Sequence, residues 1–275
     1  MVTDFLSQII EYKQHVITKQ RHFRSESSLR NDAEKCLTHR PFIKPMENTK
    51  TDTIHIIAEI KRASPSKGMI KHNLIAADYA AAYERGGASA ISVLTEDHWF
   101  KGSIKDLTDA REASTLPVLR KDFTISTYQI YESAVIGADA ILLIVRILSK
   151  TQLKDYLDLC AELNLDALVE IHTQDDINKM KDSNACLIGI NNRNLKSFET
   201  DIGTAIDLKA GLAPDQIPVA ASGIQTKDDI ERTRTTGINH FLIGESIVRS
   251  KEPTEFIQSL ITDHTEKIKN PDGKV

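Results

Sequence analysis

The chain has 275 residues, enough for one large domain or two small ones, and its 40% hydrophobic and 27% charged content excludes a wholly disordered chain and allows a sizeable core. A net charge of −4 with both signs interspersed excludes the basic field that nucleic acid or an anionic membrane needs, whereas a small phosphorylated molecule requires only a local basic pocket. Cys36, Cys160 and Cys186 are odd in number, far apart and without metal-ligand spacing, so they read as reduced packing residues in a cytosolic compartment.

The opening MVTDFLSQIIEYKQHVITKQR lacks a basic start followed by an apolar stretch and cleavage site, and no apolar run approaches membrane-spanning length. The expectation is therefore a cytoplasmic protein that engages no membrane. A helix is predicted over about residues 4–20, then a charged stretch, then PFIKP at 41–45. Residues 1–50 fall outside the pattern that follows and are expected to form an N-terminal helical extension packed on the main domain.

From about residue 53, short apolar runs rich in β-branched residues alternate with amphipathic segments, which means parallel strands joined by crossover helices. In chain order the runs are IHIIAEI (54–60), ASAISVL (88–94), PVLRK (117–121), DAILLIV (139–145), DALVEI (166–171), CLIGI (186–190), IPVAA (217–221) and NHFLI (239–243). Each is continuously apolar rather than alternating, as a sheet covered on both faces demands. Between them lie helical stretches such as LIAADYAAAYERGG, TYQIYESAVIG and TKDDIERTRTTG, with apolar residues at three- and four-residue steps. Gly87, Gly137 and Gly237 close these three and supply left-handed caps from which the chain turns back into the sheet. Eight units, with no glycine-rich dinucleotide fingerprint after the first strand, predict a single closed (β/α)8 TIM barrel over 51–265. The tail at 266–275 is expected to be flexible.

In such a barrel the informative residues are polar ones at the carboxyl ends of the strands. Glu59 and Lys61 are two apart and share a face; Lys121, Glu170, Asn191 and Arg193 end later strands. Each alone fits a solvated loop residue, and Glu59 with Lys61 fits a structural ion pair. Convergence argues otherwise, because inward charges from four strands are costly unless they pair with each other or with a ligand. Glycine turns after the last two strands, ASGIQ and LIGES, offer backbone N–H groups of Ser222, Gly223, Gly244 and Glu245 to an anion. The nine histidines show no helical metal-ligand pair, so no metal is expected.

The segments IIAEIKRASPSKG, SVLTEDHWFKGS, PVLRKDF, LVEIHT, IGINNRNL, ASGI and FLIGESIV, in this order, resemble the indole-3-glycerol-phosphate synthases. AEIKRASPSKG and GINNRNL are distinctive; LIGES and ASGI are shared with other phosphate-binding barrels. The resemblance implies closure, decarboxylation and dehydration of 1-(2-carboxyphenylamino)-1-deoxyribulose 5-phosphate, without a metal or organic cofactor. It implies Lys121 as general acid, Glu170 as general base for the dehydration and Asn191 as the group that orients the reactants. Lys61 would bind the anionic end of the substrate and share proton delivery, with Glu59 holding the lysines. Ser64, Arg193, Ser222, Gly223, Gly244 and Glu245 would line the phosphate and carboxylate subsites, with Phe100 and Phe123 near the aromatic ring. The expected assembly is a monomer or weak homodimer.

One position departs from the family. Its seventh strand ends in glutamate before the Ser-Gly pair, and here Ala221 stands in that place. The expectation is retained chemistry with reduced turnover or affinity; the alternative is a non-catalytic sugar-phosphate-binding descendant. A related isomerase would want a cysteine at a strand end, but Cys186 begins its strand.

Overall fold

The computed structural model describes residues 5–36, 38–47, 53–194 and 197–262. Every apolar run of the sequence contains one strand: β1 His55–Ile60, β2 Ala90–Leu94, β3 Val118–Lys121, β4 Ala140–Ile144, β5 Asp166–Ile171, β6 Leu187–Asn191, β7 Ile217–Ala221 and β8 His240–Ile243. Each pairs in parallel with its neighbours in sequence, and β8 pairs with β1, which closes the barrel.

Alternate residues of the strands divide between two apolar cores. Ile56, Ala58, Val93, Val118, Leu143, Val169, Ile190 and Phe241 belong to the cluster shared with the surrounding helices. Ile57, Leu119, Leu142, Leu168, Leu187, Val219 and Leu242 belong to a second cluster, which fills the barrel. The two-residue period of a strand then puts Glu59, Lys121 and Glu170 on the inner face with Ile57, Leu119 and Leu168, one step closer to the mouth, and Asn191 two steps beyond Leu187.

Eleven α-helices are found among the described residues. Those before the barrel are α1 (Phe5–Phe23) and α2 (Glu26–Ala33). Among the barrel helices, Lys150–Glu162, Gln174–Met180 and Lys227–Arg234 open with capping boxes at Ser149, Thr173 and Thr226, which satisfy orphan N–H groups at the helix start. Gly87, Gly137 and Gly237 have φ of 85°, 80° and 83°, the left-handed conformation expected of them.

The structure differs from the sequence reading in two places. The charged stretch after α1 contains α2, which packs against the barrel helix Thr127–Val135; Ser25 caps it, a local signal masked by the charges around it. A two-stranded antiparallel hairpin, Ala63–Ser64 with Gly68–Met69, follows β1.

The segment ahead of β1 reaches both ends of the barrel. Phe5, Leu6 and Ile9 of α1 line the cavity at the carboxyl ends of the strands. Residues 38–47 cross the opposite end: the Arg40 N–H donates to Asp139 Oδ1 at 2.7 Å, and the Phe42 and Ile43 N–H groups donate to Asp166 Oδ2 at 2.9 Å each. Phe42 and Met46 are buried there within the inner core, each worth roughly 1.5–3 kcal/mol of apolar burial. The expected tail at 266–275 lies outside the described residues.

Candidate active site

At the carboxyl ends of the strands opens a cavity of about 760 Å³. Its charged wall consists of two ion pairs. Lys61 Nζ lies 2.5 Å from Glu59 Oε1, and Lys121 Nζ lies 3.3 Å from Glu170 Oε2. Both carboxylates are buried. The Asn191 amide donates to Glu170 Oε1 at 3.1 Å and accepts the Arg193 N–H at 3.0 Å, which fixes its orientation. The Arg193 guanidinium donates to Ser66 Oγ at 2.6 Å.

Burial alone would lower the pKa of Lys121, but Glu170 and Glu59 outweigh it and hold the ammonium above the usual lysine range. Burial likewise works to raise Glu59, and Lys61, Lys121 and Arg193 outweigh it, so this carboxyl stays below its usual range. The cavity therefore holds a charged ammonium and a charged carboxylate in a desolvated setting, where electrostatic effects on developing charge are large.

Phe100 and Phe123 stand at a centroid distance of 6.2 Å, tilted by 43°, an apolar corner suited to an aromatic ring. Phe100 is held through its loop: the fully buried Glu96 carboxylate accepts the N–H groups of His98, Trp99 and Phe100 at 2.8–2.9 Å.

Ser64, Ser222, Gly223, Gly244 and Glu245 line the same cavity. Among the described residues the Ser64 hydroxyl is buried without a hydrogen-bond partner. Ser222 and Gly223 are both left-handed, at φ 69° and 82°, and a Cβ on Gly223 would come within 2.6 Å of Thr200. Gly244 is needed for a reason that the sequence did not show: a side chain there would collide with the Glu59 carboxylate. Glu245 turns its carboxylate to Arg249, at 3.0 Å.

All the residues singled out from the sequence thus border one cavity. Sequence reasoning missed the contribution of α1, Phe198 and Ser66. The signal for α1 was available, since Phe5, Ile9, Lys13 and Ile17 recur every four residues along one face, but nothing in the sequence says which surface that face covers. Ala221 is 3% exposed, also borders the cavity, and pairs in register with Asn191 and Leu242. His172, beside Glu170, bonds through Nδ1 to the Asn191 carbonyl at 2.6 Å. Among the described residues no cluster of His, Cys, Asp or Glu could hold a metal ion, and no helix is long and apolar enough to cross a membrane.

A family model described as indole-3-glycerol phosphate synthase matches residues 6–260. The indole-3-glycerol phosphate synthase of Desulfosudis oleivorans is 51% identical over 262 residues, 95% of this chain and 100% of that protein. That of Syntrophobacter fumaroxidans is 44% identical over 259 residues, 94% of this chain and 98% of that protein. Among solved structures, an N-acetylmannosamine-6-phosphate 2-epimerase from Clostridium perfringens superposes with a TM-score of 0.57 at 15% identity, over 72% of this chain and 90% of that one. A thiamine phosphate pyrophosphorylase from Pyrococcus furiosus gives 0.56 at 11% identity, over 76% and 95%. At such identities the structural likeness speaks for the barrel fold alone.

Proposed function

The chain belongs to the indole-3-glycerol phosphate synthase family, and from that premise we propose how its residues divide the reaction among themselves. The enzyme is a carboxy-lyase: it closes the pyrrole ring of 1-(2-carboxyphenylamino)-1-deoxyribulose 5-phosphate, then releases carbon dioxide and water. The observation that carries the assignment of roles is the pair of buried lysine–carboxylate contacts facing one cavity, Lys61 with Glu59 and Lys121 with Glu170.

Lys121 is the general acid. Its ammonium protonates the ribulose carbonyl oxygen as the ring carbon bearing the carboxylate attacks. Loss of carbon dioxide then restores the aromatic ring. In the dehydration Glu170 accepts the proton lost from the new ring, and Lys61 delivers one to the departing hydroxyl. Two protons are given and one is taken, which matches the single proton consumed when a carboxylate leaves as carbon dioxide. Asn191 holds Glu170 through its amide, and Glu59 holds Lys61.

The phosphate sits against Ser64, Ser222, Gly223, Gly244 and Glu245, where glycines let backbone amides approach an anion. The buried, unpartnered Ser64 hydroxyl supports this placement. Arg193 meets a substrate anion, and Phe100 with Phe123 stack near the anthranilate ring. We further read residues 1–50 as an appendage of a single barrel domain spanning 51–265, and the protein as a cytoplasmic monomer or weak homodimer that uses no cofactor.

The test is direct: purified protein mixed with the phosphorylated anthranilate adduct should generate indole fluorescence, and Lys121→Met should abolish it while circular dichroism stays native. Turnover by Lys121→Met at the wild-type rate would remove Lys121 from the role assigned to it.

A further inference from the structure

Lys13 stands on the inner face of α1, between Ile9 and Ile17, and is only 4% exposed. Lysine is rarely buried unless paired. Its ammonium lies 2.7 Å from Asp122 Oδ1. The same carboxylate accepts the Thr95 hydroxyl at 2.7 Å, the Phe123 N–H at 2.8 Å and Arg120 Nη2 at 3.5 Å. Thr95, just past β2, in turn donates its N–H to the Lys121 carbonyl at 3.1 Å. Asp122 is thus a knot that ties α1 to the ends of β2 and β3, in the peptide between Lys121 and Phe123.

Burial by itself would raise the pKa of Asp122; Lys13 and Arg120 outweigh it, so the carboxyl is held below its usual range and ionised. Buried ion pairs commonly add no net stability over apolar residues of similar volume. What four donors on one carboxylate do fix is direction, and a displacement of about 1 Å at a reacting group costs on the order of 100-fold in rate.

We propose that Lys13 is a positioning residue for the reaction: from the N-terminal helix, through Asp122, it sets the Lys121–Phe123 segment, and with it the acid and the aromatic wall, at the geometry that ring closure requires. Lys13 does not line the cavity, whereas Asp122 does, so it acts through its partner. The inference rests on the assignment of Lys121 as general acid.

The experiment compares Lys13→Met, Lys13→Arg, Ile9→Ala and Lys121→Met under saturating and limiting substrate. Lys13→Met should lower kcat roughly 10- to 100-fold and change KM by less than about threefold, the mark of an interaction expressed in the transition state. Lys13→Arg, which keeps the charge, should recover most of the loss. Ile9→Ala, on the same face of α1 but lining the cavity, should raise KM more than it lowers kcat.

Trp99, the single tryptophan of the chain, packs edge-on against Phe5 and Tyr12 of α1, at 5.5 and 5.4 Å. Its emission therefore reports docking of the helix, and it should keep its wild-type wavelength in Lys13→Met. A folded Lys13→Met with wild-type kcat overturns the proposal, as does a loss accompanied by a red-shifted Trp99 and matched by Ile9→Ala. Should Lys13→Met fail to fold, Asp122→Asn carries the same expectation of a kcat-selective loss, and an unchanged kcat there overturns it. Activity in Lys121→Met would sink the general-acid reading itself; an inactive Lys121→Met beside a normal Lys13→Met would sink only the positioning role.

Discussion

Lys121 is useful because of the company it keeps. Glu170 and Glu59 hold it as an ammonium on the wall of the cavity, so in the role proposed for it a proton donor stands ready where negative charge would develop on the substrate carbonyl. Since its pKa stands above the usual lysine range, the alkaline limb of kcat/KM, which reports the free enzyme, should lie above that range if Lys121 is the acid. A limb near neutrality that Lys121→Arg moved upward would contradict that picture. Glu170→Gln keeps the shape but removes the carboxylate; if Glu170 is the base, it should cost about 100- to 10,000-fold in kcat with little change in KM. Ala221 calls for the opposite experiment. Its Cβ lies in the inner core, between Asn191 and Leu242 in register, and no carboxylate stands at this strand end. Ala221→Glu should raise kcat/KM several-fold, about 1 kcal/mol of transition-state stabilisation; steady-state kinetics showing no gain in either constant would mean that the barrel works as well without it.

At the scale of the element, strand parity decides most of the chemistry. A run such as VLRK places Arg120 among Gln129, Ser133 and Glu132 on the helix side and Lys121 in the cavity. A one-residue slip would exchange them, which is why each strand must keep its register. At the base of the barrel the rings of His55 and His240, on β1 and β8, stack at 4.9 Å with an interplanar angle of 9°. Burial, with His55 adding repulsion, pushes His240 down to about 4, and burial lowers His55 as well. Because the folded-state values lie below those of the unfolded chain, this contribution to stability is complete above about pH 6.5 and is lost as pH falls towards 4. For His240 alone the loss approaches roughly 3 kcal/mol. Urea midpoints at pH 7.5 and 4.5 should therefore converge in His240→Gln relative to wild type; an equal acid shift in both proteins would remove the pair from the explanation.

For the molecule as a whole, the N-terminal segment is a cover for both ends of the barrel. Ile9, Ile17, Leu29, Phe42 and Met46 are all at most 5% exposed. At roughly 1.5–3 kcal/mol each, their burial is comparable to the 5–15 kcal/mol net stability typical of a domain. A chain beginning after residue 47 should consequently fail to give soluble folded protein, as judged by circular dichroism and size-exclusion chromatography. A compact, native-like truncated barrel would show that the covers are dispensable for folding.

The sequence by itself determined the eight strands, their parallel closure, the left-handed glycine turns and the set of residues at the barrel mouth. These follow from short-range rules of periodicity, cap chemistry and strand alternation, which need no knowledge of distant partners. It did not reveal α2, the hairpin after β1, the contact between Gly244 and Glu59, or the surface that α1 covers. The helix α2 and the hairpin are local, with the Ser25 cap hidden among charges; only the tertiary structure decided the other two, because they depend on contacts between segments far apart in the chain: Lys13 meets Asp122 across more than a hundred residues, and no local pattern encodes which charge a buried lysine will find.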